Sequence, residues 1–297
     1  MIPNVLNEKL QTQFGKTIAD EISKSYKEKR TTTLRVNTLK ATPEEIKSIL
    51  EKRNIKYQAV AWSDFSLILE RAEEEEIRNL DIYKEGKIYL QSLSSQLPPL
   101  FLEPKTGESI LDMTAAPGGK TTELAALSNN QAVLTAIEKN KQRYERLKYN
   151  IEHLGAKKVT VLNTDARHLD EYFTFDKILL DAPCSGSGTL NEKSLSNYNE
   201  DLLNRSIAAQ RSLIKEATKH LHGGGELIYS TCSILEDENE SIIQELLEEN
   251  SSLELVPLEL DNYQELPTLP TKLEGTLLVK PTKTYEGFFV AKIRKKS

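Results

Sequence analysis

The chain carries only two cysteines, Cys184 and Cys232, and each follows a short apolar run, in KILLDAPCSGSG and in ELIYSTCSI. Runs such as Lys177 to Leu180 and Leu227 to Tyr229 read as buried parallel strands bounded by turn residues. Both thiols then emerge at the carboxyl ends of neighbouring strands, the edge where ligands bind in open α/β sheets. A free cysteine beside a strand is often mere packing, because the thiol is among the most buried side chains. Here Pro183 and the glycines around Cys184 make a poor core strand, and both cysteines precede Ser, so chemistry is the better reading. A third segment, SILDMTAAPGGKTTELAAL, supplies a strand, a Pro-Gly-Gly turn and a helix start, the shape of a cofactor loop. Two thiols and that loop share one rim.

AAPGGKT lacks the glycine spacing of the dinucleotide fingerprint, and its lysine follows the first glycine too closely for a Walker loop. What it offers is backbone N–H groups and Lys120 at a helix N-terminus, where a ligand carboxylate is welcome. A cofactor with an amino-acid end suits it, held by Thr114, Ala115, Ala116, Pro117, Gly118, Gly119 and Lys120. Downstream, Glu138 ends the second strand of the series, Asp165 follows the third and Asp181 ends the fourth. An acid after the second strand is placed to hydrogen-bond ribose hydroxyls. Asp165 is the candidate for an adenine amino group. Each acid taken singly is as well explained as a helix cap or a solvated end; the series along one rim is the signal.

Positioning these residues requires an alternating fold. From Ser109 onward ILDM, AVLTAIE, KVTVLN, KILLDAP and ELIYS alternate with helical patterns at 119–128, 140–154 and 200–222, the last ended by Gly223 to Gly225. Such alternation implies a parallel, doubly wound sheet with right-handed crossovers. LELVPL, GTLLVKP and GFFVAKIRK should add antiparallel strands. Residues 1–98 read as a small α+β unit: TTTLRVNTL, YQAVAW and SLILE as strands, ATPEEIKSILEKRN as a Thr-capped helix. GKIYLQSLSSQLPPLFLEPKTGE reads as a strand, a short helix and a proline-bounded linker, which puts the boundary near Pro98 to Pro104 and the larger domain at 99–297.

At 297 residues, 38% hydrophobic and 28% charged, the chain has the composition of a globular protein. No apolar stretch is long enough to span a bilayer and the first residues lack a leader pattern, so a cytoplasmic protein with reduced thiols is expected. The net charge of -6 argues against non-specific coating of nucleic acid. Charge is unevenly spread, however. Lys24 to Lys56 is rich in Lys and Arg, including Arg30 and Arg35, whereas acids concentrate in Glu73 to Glu76 and Glu236 to Glu249. The basic stretch is either an RNA-facing surface or an ordinary solvated face. His153, His168, His220 and His222 read as structural or surface residues, and the cysteines lack paired metal-ligand spacing, so no metal is expected.

LDMTAAPGGKTT, DAPCSGSG and YSTCS, in this order, resemble the signature segments of the Nop/Sun (RsmB/Nop) family of S-adenosylmethionine-dependent RNA cytosine-5 methyltransferases. LRVNTLK, GKIYLQSLSSQLPP and EGFFVAKIRK are also similar to family segments, so the resemblance covers most of the chain. It differs where Thr114 stands in a place often held by cysteine, where Glu286 replaces the usual Asp, and where TLNEKSLSNYNE replaces an arginine-rich stretch. Neither an extra RNA-binding helical domain at the amino end nor a carboxyl-terminal RNA-binding module fits in this length.

The resemblance implies a Rossmann-like methyltransferase sheet, S-adenosylmethionine as cofactor, tRNA or rRNA as substrate and a monomer. It also implies roles. Cys232 is the nucleophile that adds to carbon 6 of cytosine and so activates carbon 5. Cys184 assists loss of the carbon-5 proton and release of the product. Asp181 hydrogen-bonds or protonates the ring nitrogen, and Lys120 contacts cofactor, base or both. Two other readings remain: a DNA cytosine-5 methyltransferase, in which the Pro-Cys motif carries the nucleophile, and a non-catalytic RNA-binding or ribosome-assembly factor. The target base must be single-stranded or flipped out, since the reaction approaches it from both faces.

Overall fold

The computed structural model describes residues 2–297; Met1 of the expected amino-terminal unit lies outside the described residues. The chain opens with helix α1 (Asn4–Ser25), broken at Gly15, then strand β1 (Thr32–Val36), α2 (Pro43–Lys52), β2 (Tyr57–Val60), β3 (Ser63–Leu69), α3 (Glu74–Arg78), α4 (Asp81–Lys84), β4 (Ile88–Leu90) and α5 (Leu93–Leu102). The alternating part is β5 (Ser109–Asp112), α6 (Gly119–Leu127), β6 (Val133–Ile137), α7 (Lys141–Leu154), β7 (Val159–Leu162), β8 (Phe175–Asp181), α8 (Glu200–Lys219) and β9 (Leu221–Thr231). It closes with α9 (Glu240–Glu249), β10 (Leu253–Val256), β11 (Leu277–Val279) and β12 (Phe288–Lys295).

The large sheet runs β10-β12-β9-β8-β5-β6-β7, with β11 on β12. β7, β6, β5, β8 and β9 are parallel to their neighbours, whereas β12 runs antiparallel to β9, β10 and β11. Strand order therefore reverses between β5 and β8, which opens a crevice at their carboxyl ends. The tail strands are antiparallel, as their closely spaced apolar runs imply. A separate antiparallel sheet, β2-β3-β1-β4, carries its own core of Leu34, Ile46, Leu50, Leu67 and Ile88.

Three local expectations need correction. Helix α1 does not join the small sheet: Leu6, Leu10, Phe14, Ile22 and the following Tyr26 pack in the core of the large one, with Ile178, Leu190 and Ile234. Apolar spacing on a helix shows that a face is buried, not which partner buries it.

Pro98 and Pro99 lie inside α5 instead of a linker, and α5 packs on α6, β8, β9 and β12. Pro99 has no N–H to offer Ser95 O, which accepts from Gln91 Nε2 instead.

The helix expected over 200–222 stops at Lys219. Leu221 already pairs with Phe175, and the glycines form an irregularity in β9, where a Cβ on Gly225 would lie 2.9 Å from Asp176 O.

Candidate active site

At the end of β5 the chain turns through Thr114 to Gly118 into α6. Gly118 holds φ at 106°, which L side chains rarely adopt, and a Cβ there would stand 3.0 Å from Leu147. Neighbouring elements grip the loop's carbonyls: Arg143 of α7 donates to Ala116 O at 2.8 Å and Asn150 to Pro117 O at 2.8 Å. The first-turn N–H groups of α6, which lack intrahelical partners, are left for a ligand. They border a cavity of about 260 Å³ lined by Tyr89, Asp112, Thr114, Gly119, Lys120 and Asp181 among others.

Lys120 Nζ reaches across the crevice to Asp181 Oδ2 at 2.7 Å and to Ser95 Oγ at 2.7 Å. Ser230 of β9 donates to the other Asp181 oxygen at 2.8 Å, and Thr114 donates to Asp181 O at 2.7 Å. Lys120 is thus well buried yet charged: burial works against the ammonium, but the charge and hydrogen bond of Asp181 outweigh it and raise its pKa. Beside it Asp112 is buried without a cation partner, and burial pushes its carboxyl up to about 6 despite a 2.7 Å hydrogen bond from Thr121.

The loops after β8 and β9 bring the two thiols together. Cys184 Sγ and Cys232 Sγ stand 3.1 Å apart, both partly exposed. Gly188 N donates to Cys232 O and Gly287 N donates to Gly188 O, an approach so close that a Cβ on Gly188 would collide with Gly287 O at 2.1 Å. α1 and the Tyr26 that follows it brace both loops, through Tyr26 OH to Ser187 O at 2.6 Å and Gln13 Nε2 to Ile234 O at 3.1 Å. The thiol of Cys184 is held well above its usual value by its hydrogen bond with Cys232, by burial, and by the charges of Cys232 and Glu238.

Glu138 and Asp165 sit further along the same rim. Glu138 is 4% exposed, accepts from Asn140 N at 2.7 Å and has Arg143 at 3.5 Å. Asp165 caps the turn at 166–168, and the Arg167 guanidinium across both its oxygens holds the carboxyl far below the usual range. Neither lines the cavity, whereas Thr114, Ala115, Ala116, Pro117, Gly119, Lys120 and Asp181 do.

Residues 99–294 match the family of the 16S rRNA methyltransferase RsmB/F, and residues 2–74 match an RsmF/B-like ferredoxin-like domain. The chain belongs to the RsmB/F methyltransferase family. A ribosomal RNA small subunit methyltransferase F of Shewanella amazonensis is 37% identical over 272 residues, covering 88% of this chain and 57% of that protein. The 25S rRNA (cytosine-C(5))-methyltransferase nop2 of Schizosaccharomyces pombe is 34% identical over 306 residues, covering 98% of this chain and 50% of the relative. The chain therefore spans little more than half the length of such RsmB/F relatives. Among solved structures, a methyltransferase homolog protein from Pyrococcus horikoshii superposes with a TM-score of 0.84 at 32% identity, covering 99% of this chain and all of that one. NSun6 from Pyrococcus horikoshii with SFG gives 0.88 at 26% identity, covering 99% and 98%.

Ser95, Ser230, Tyr89 and Glu238 border this RsmB/F site beyond the candidates the sequence marks. Ser95 and Tyr89 come from elements far from the cysteine motifs in sequence, Ser230 stands two residues before Cys232 inside YSTCS, and Glu238 lies in an acidic run that reads as solvated. Arg35 departs most from expectation. It is 1% exposed, donating to Gln91 Oε1 at 3.0 Å and Thr122 Oγ1 at 3.1 Å, with Glu123 at 3.8 Å. Arg30 donates to the carbonyls of Thr282, Tyr285 and Gly188. Arg30 and Arg35 thus direct their donors to partners within the fold.

Proposed function

We propose that the chain is an S-adenosylmethionine-dependent RNA cytosine-5 methyltransferase acting on ribosomal RNA of the small subunit. The observation that carries this reading is the thiol pair at 3.1 Å on the rim that also holds Lys120 and Asp181. One thiol can add to a pyrimidine ring while the other serves the elimination that frees it, and neither a DNA-type single Pro-Cys nucleophile nor a purely RNA-binding protein needs both. The names of the relatives favour ribosomal RNA.

The site fits the cofactor. Free N–H groups and the glycines at the start of α6 suit an amino-acid carboxylate, Glu138 suits ribose hydroxyls and Asp165 an adenine amino group. S-adenosylmethionine when bound supplies an electrophilic methyl group. The chain's residues do the rest. Cys232 Sγ forms a bond to carbon 6, and the C5=C6 electron pair moves toward ring nitrogen 3, where Asp181 delivers the proton that the Lys120–Asp181 pair holds across its 2.7 Å contact. Carbon 5 thereby becomes nucleophilic and takes the methyl group. Cys184 then assists removal of the carbon-5 proton, whose electron pair restores C5=C6 as the C6–S bond breaks and Cys232 is freed.

For the RNA, a groove of about 420 Å³ adjoins the cavity and shares Tyr89, Leu90 and Pro117 with it. Tyr149, 63% exposed, stacks on His153 there, and Arg78 and Arg146 add positive charge. Aromatic platforms beside arginines suit single-stranded bases. These groups supersede Arg30 and Arg35 as the candidate RNA contacts.

Trapping tests the mechanism. RNA carrying 5-fluorocytosine should link covalently to the wild type in the presence of cofactor, because fluorine cannot leave as a proton does. Cys232→Ala should give neither adduct nor methylation, and Cys184→Ala should accumulate adduct even with normal RNA. Adducts that persist in Cys232→Ala but vanish in Cys184→Ala would reverse the roles. Bisulfite mapping of ribosomal RNA from a strain lacking the gene identifies the target.

A further inference from the structure

Two thiols in contact share one proton once the other has been lost, and the RNA methyltransferase reading needs the negative charge on one of them in particular. None of the four histidines lines this site; His220 bonds to Phe173 O and His153 to Tyr83 O, while His168 and His222 are exposed elsewhere. The discriminating group is Glu238, six residues past Cys232 and wholly buried. Its Oε1 accepts from Ser185 N at 2.7 Å and from Gln210 Nε2 at 3.1 Å, and its Oε2 accepts from Ser185 Oγ at 2.5 Å. Gln210 Nε2 also donates to Pro183 O at 2.9 Å. One carboxylate thus grips both chain neighbours of Cys184, directly on one side and through Gln210 on the other. No Lys or Arg among the described residues forms an ion pair with it. A buried carboxylate without a cation projects its charge on whatever lies nearest, and here that is Cys184.

Lys120 Nζ lies over the Phe288 ring, 5.4 Å from its centroid, and Cys232 packs against the apolar cluster that holds Phe288. We propose that Glu238 and Lys120 polarise the two thiols from opposite sides, Glu238 keeping the shared proton on Cys184 and Lys120 favouring the thiolate of Cys232, so that Cys232 is the resting nucleophile. This assignment rests on the methyltransferase reading for its purpose but not for its test. Glu238 is a positioning residue in this scheme, since it acts through Cys184 and touches no reacting atom.

The titratable groups around the pair fit the scheme. Glu238 from the turn before α9, with the Tyr229 hydroxyl of β9 donating to its carbonyl at 2.7 Å, adjoins Cys184, and Lys120 is held by Asp181 with Asp112 nearby. The hydrogen bond with Cys232, burial and the two negative charges all hold the Cys184 proton in place. Addition of Cys232 to carbon 6 consumes the thiolate lone pair in the new C–S bond, and with it both the hydrogen bond and the charge that keep Cys184 protonated. Cys184 then gives its proton to water more readily, and its thiolate can accept the proton from carbon 5, which returns it to the starting thiol. A base becomes available only after the adduct has formed.

Alkylation of the free protein by iodoacetamide, resolved by peptide mass spectrometry from pH 6 to 10, tests this without RNA or cofactor, so its outcome is independent of whether the methylation reading stands. The thiolate is the reacting species, and in the wild type Cys232 should react about ten-fold faster than Cys184 at pH 7. Glu238→Gln should shift the Cys184 profile to lower pH and narrow the ratio at least about three-fold, whereas Ser185→Ala, which keeps the charge and removes one hydrogen bond, should leave the ratio within about two-fold. Lys120→Met reports from the opposite end and should slow Cys232 while sparing Cys184. A faster Cys184 in the wild type, or an unchanged ratio in a folded Glu238→Gln protein, overturns the proposal. If Glu238→Gln does not fold, an unchanged Cys232 rate in Lys120→Met does so.

Discussion

Lys120 Nζ and Asp181 Oδ2 meet at 2.7 Å across the gap between β5 and β8, the place where strand order reverses. The ammonium belongs to the helix after the first strand of the series and the carboxylate to the end of the fourth. Their pairing joins the cofactor loop to the cysteine motif. It also sets an ion pair on the rim that carries the two thiols, in a site where burial strengthens it.

Replacing Asp181 should therefore cost chemistry more than fold. Asp181→Asn is expected to lower the rate of adduct formation with 5-fluorocytosine RNA by about 100-fold or more, the scale of a lost charge-stabilising group. Its structure is retained because the introduced amide oxygen can still accept from Lys120 while the amide NH2 group donates to the Ser230 hydroxyl, which reverses its role. Single-turnover trapping on gels measures it, and near wild-type trapping removes Asp181 from the ring-nitrogen role.

Cofactor affinity should depend on the rim acids. Glu138→Ala and Asp165→Ala are each expected to weaken S-adenosylmethionine binding about ten-fold or more in calorimetry, as expected for hydrogen bonds to charged groups. Because Arg167 spans both Asp165 oxygens, Arg167→Ala should weaken binding less than Asp165→Ala. If both acid variants bind as the wild type does, these acids do not serve the cofactor.

RNA contacts separate two surfaces. Tyr149→Ala and Arg146→Glu should weaken RNA binding and flatten its salt dependence while sparing the cofactor, with Tyr149→Phe restoring affinity because stacking needs only the ring. Arg35→Met should instead lower stability by about 3 to 5 kcal/mol, since it leaves Glu123, Gln91 and Thr122 buried without their partner. Equal loss of RNA affinity in folded Arg35→Met would return the RNA path to the basic stretch.

Asp112 gives stability a pH dependence of known sign. Its folded pKa of about 6 lies above the ordinary carboxylate value of 3.8, so the folded state holds the proton more tightly. The contribution is full below the ordinary value and is lost as pH rises through about 6. Asp112→Asn should remove that slope, making the variant more stable than the wild type at pH 8 by on the order of 2 to 3 kcal/mol relative to their difference at pH 4. Parallel melting curves across this range would contradict the assignment.

Much of this was legible in the sequence because its signals are local. A buried parallel strand is a short Val/Ile/Leu run, and a loop that must hold φ at 106° needs glycine, so the strand ends, the AAPGGKT loop and the two cysteine motifs could be placed along the chain. Alternation of strands and helices fixed the sheet type, and each cysteine's position after a strand put both on one edge. Tertiary structure alone decided which distant groups complete the site. The run EDENE reads as solvated, yet Glu238 is buried behind Cys184, because nothing in a stretch of acids tells which one faces inward when the loop folds over α8. Likewise Arg35 sits in a basic stretch and looks like an RNA contact, but the docking of the small sheet on α6 buries its guanidinium against Gln91 and Thr122. Proximity of 3.1 Å between two thiols is set by the pairing of β8 with β9 and by the approach of Gly188 to Gly287. Such contacts join residues far apart in sequence, and only the folded chain brings them within reach.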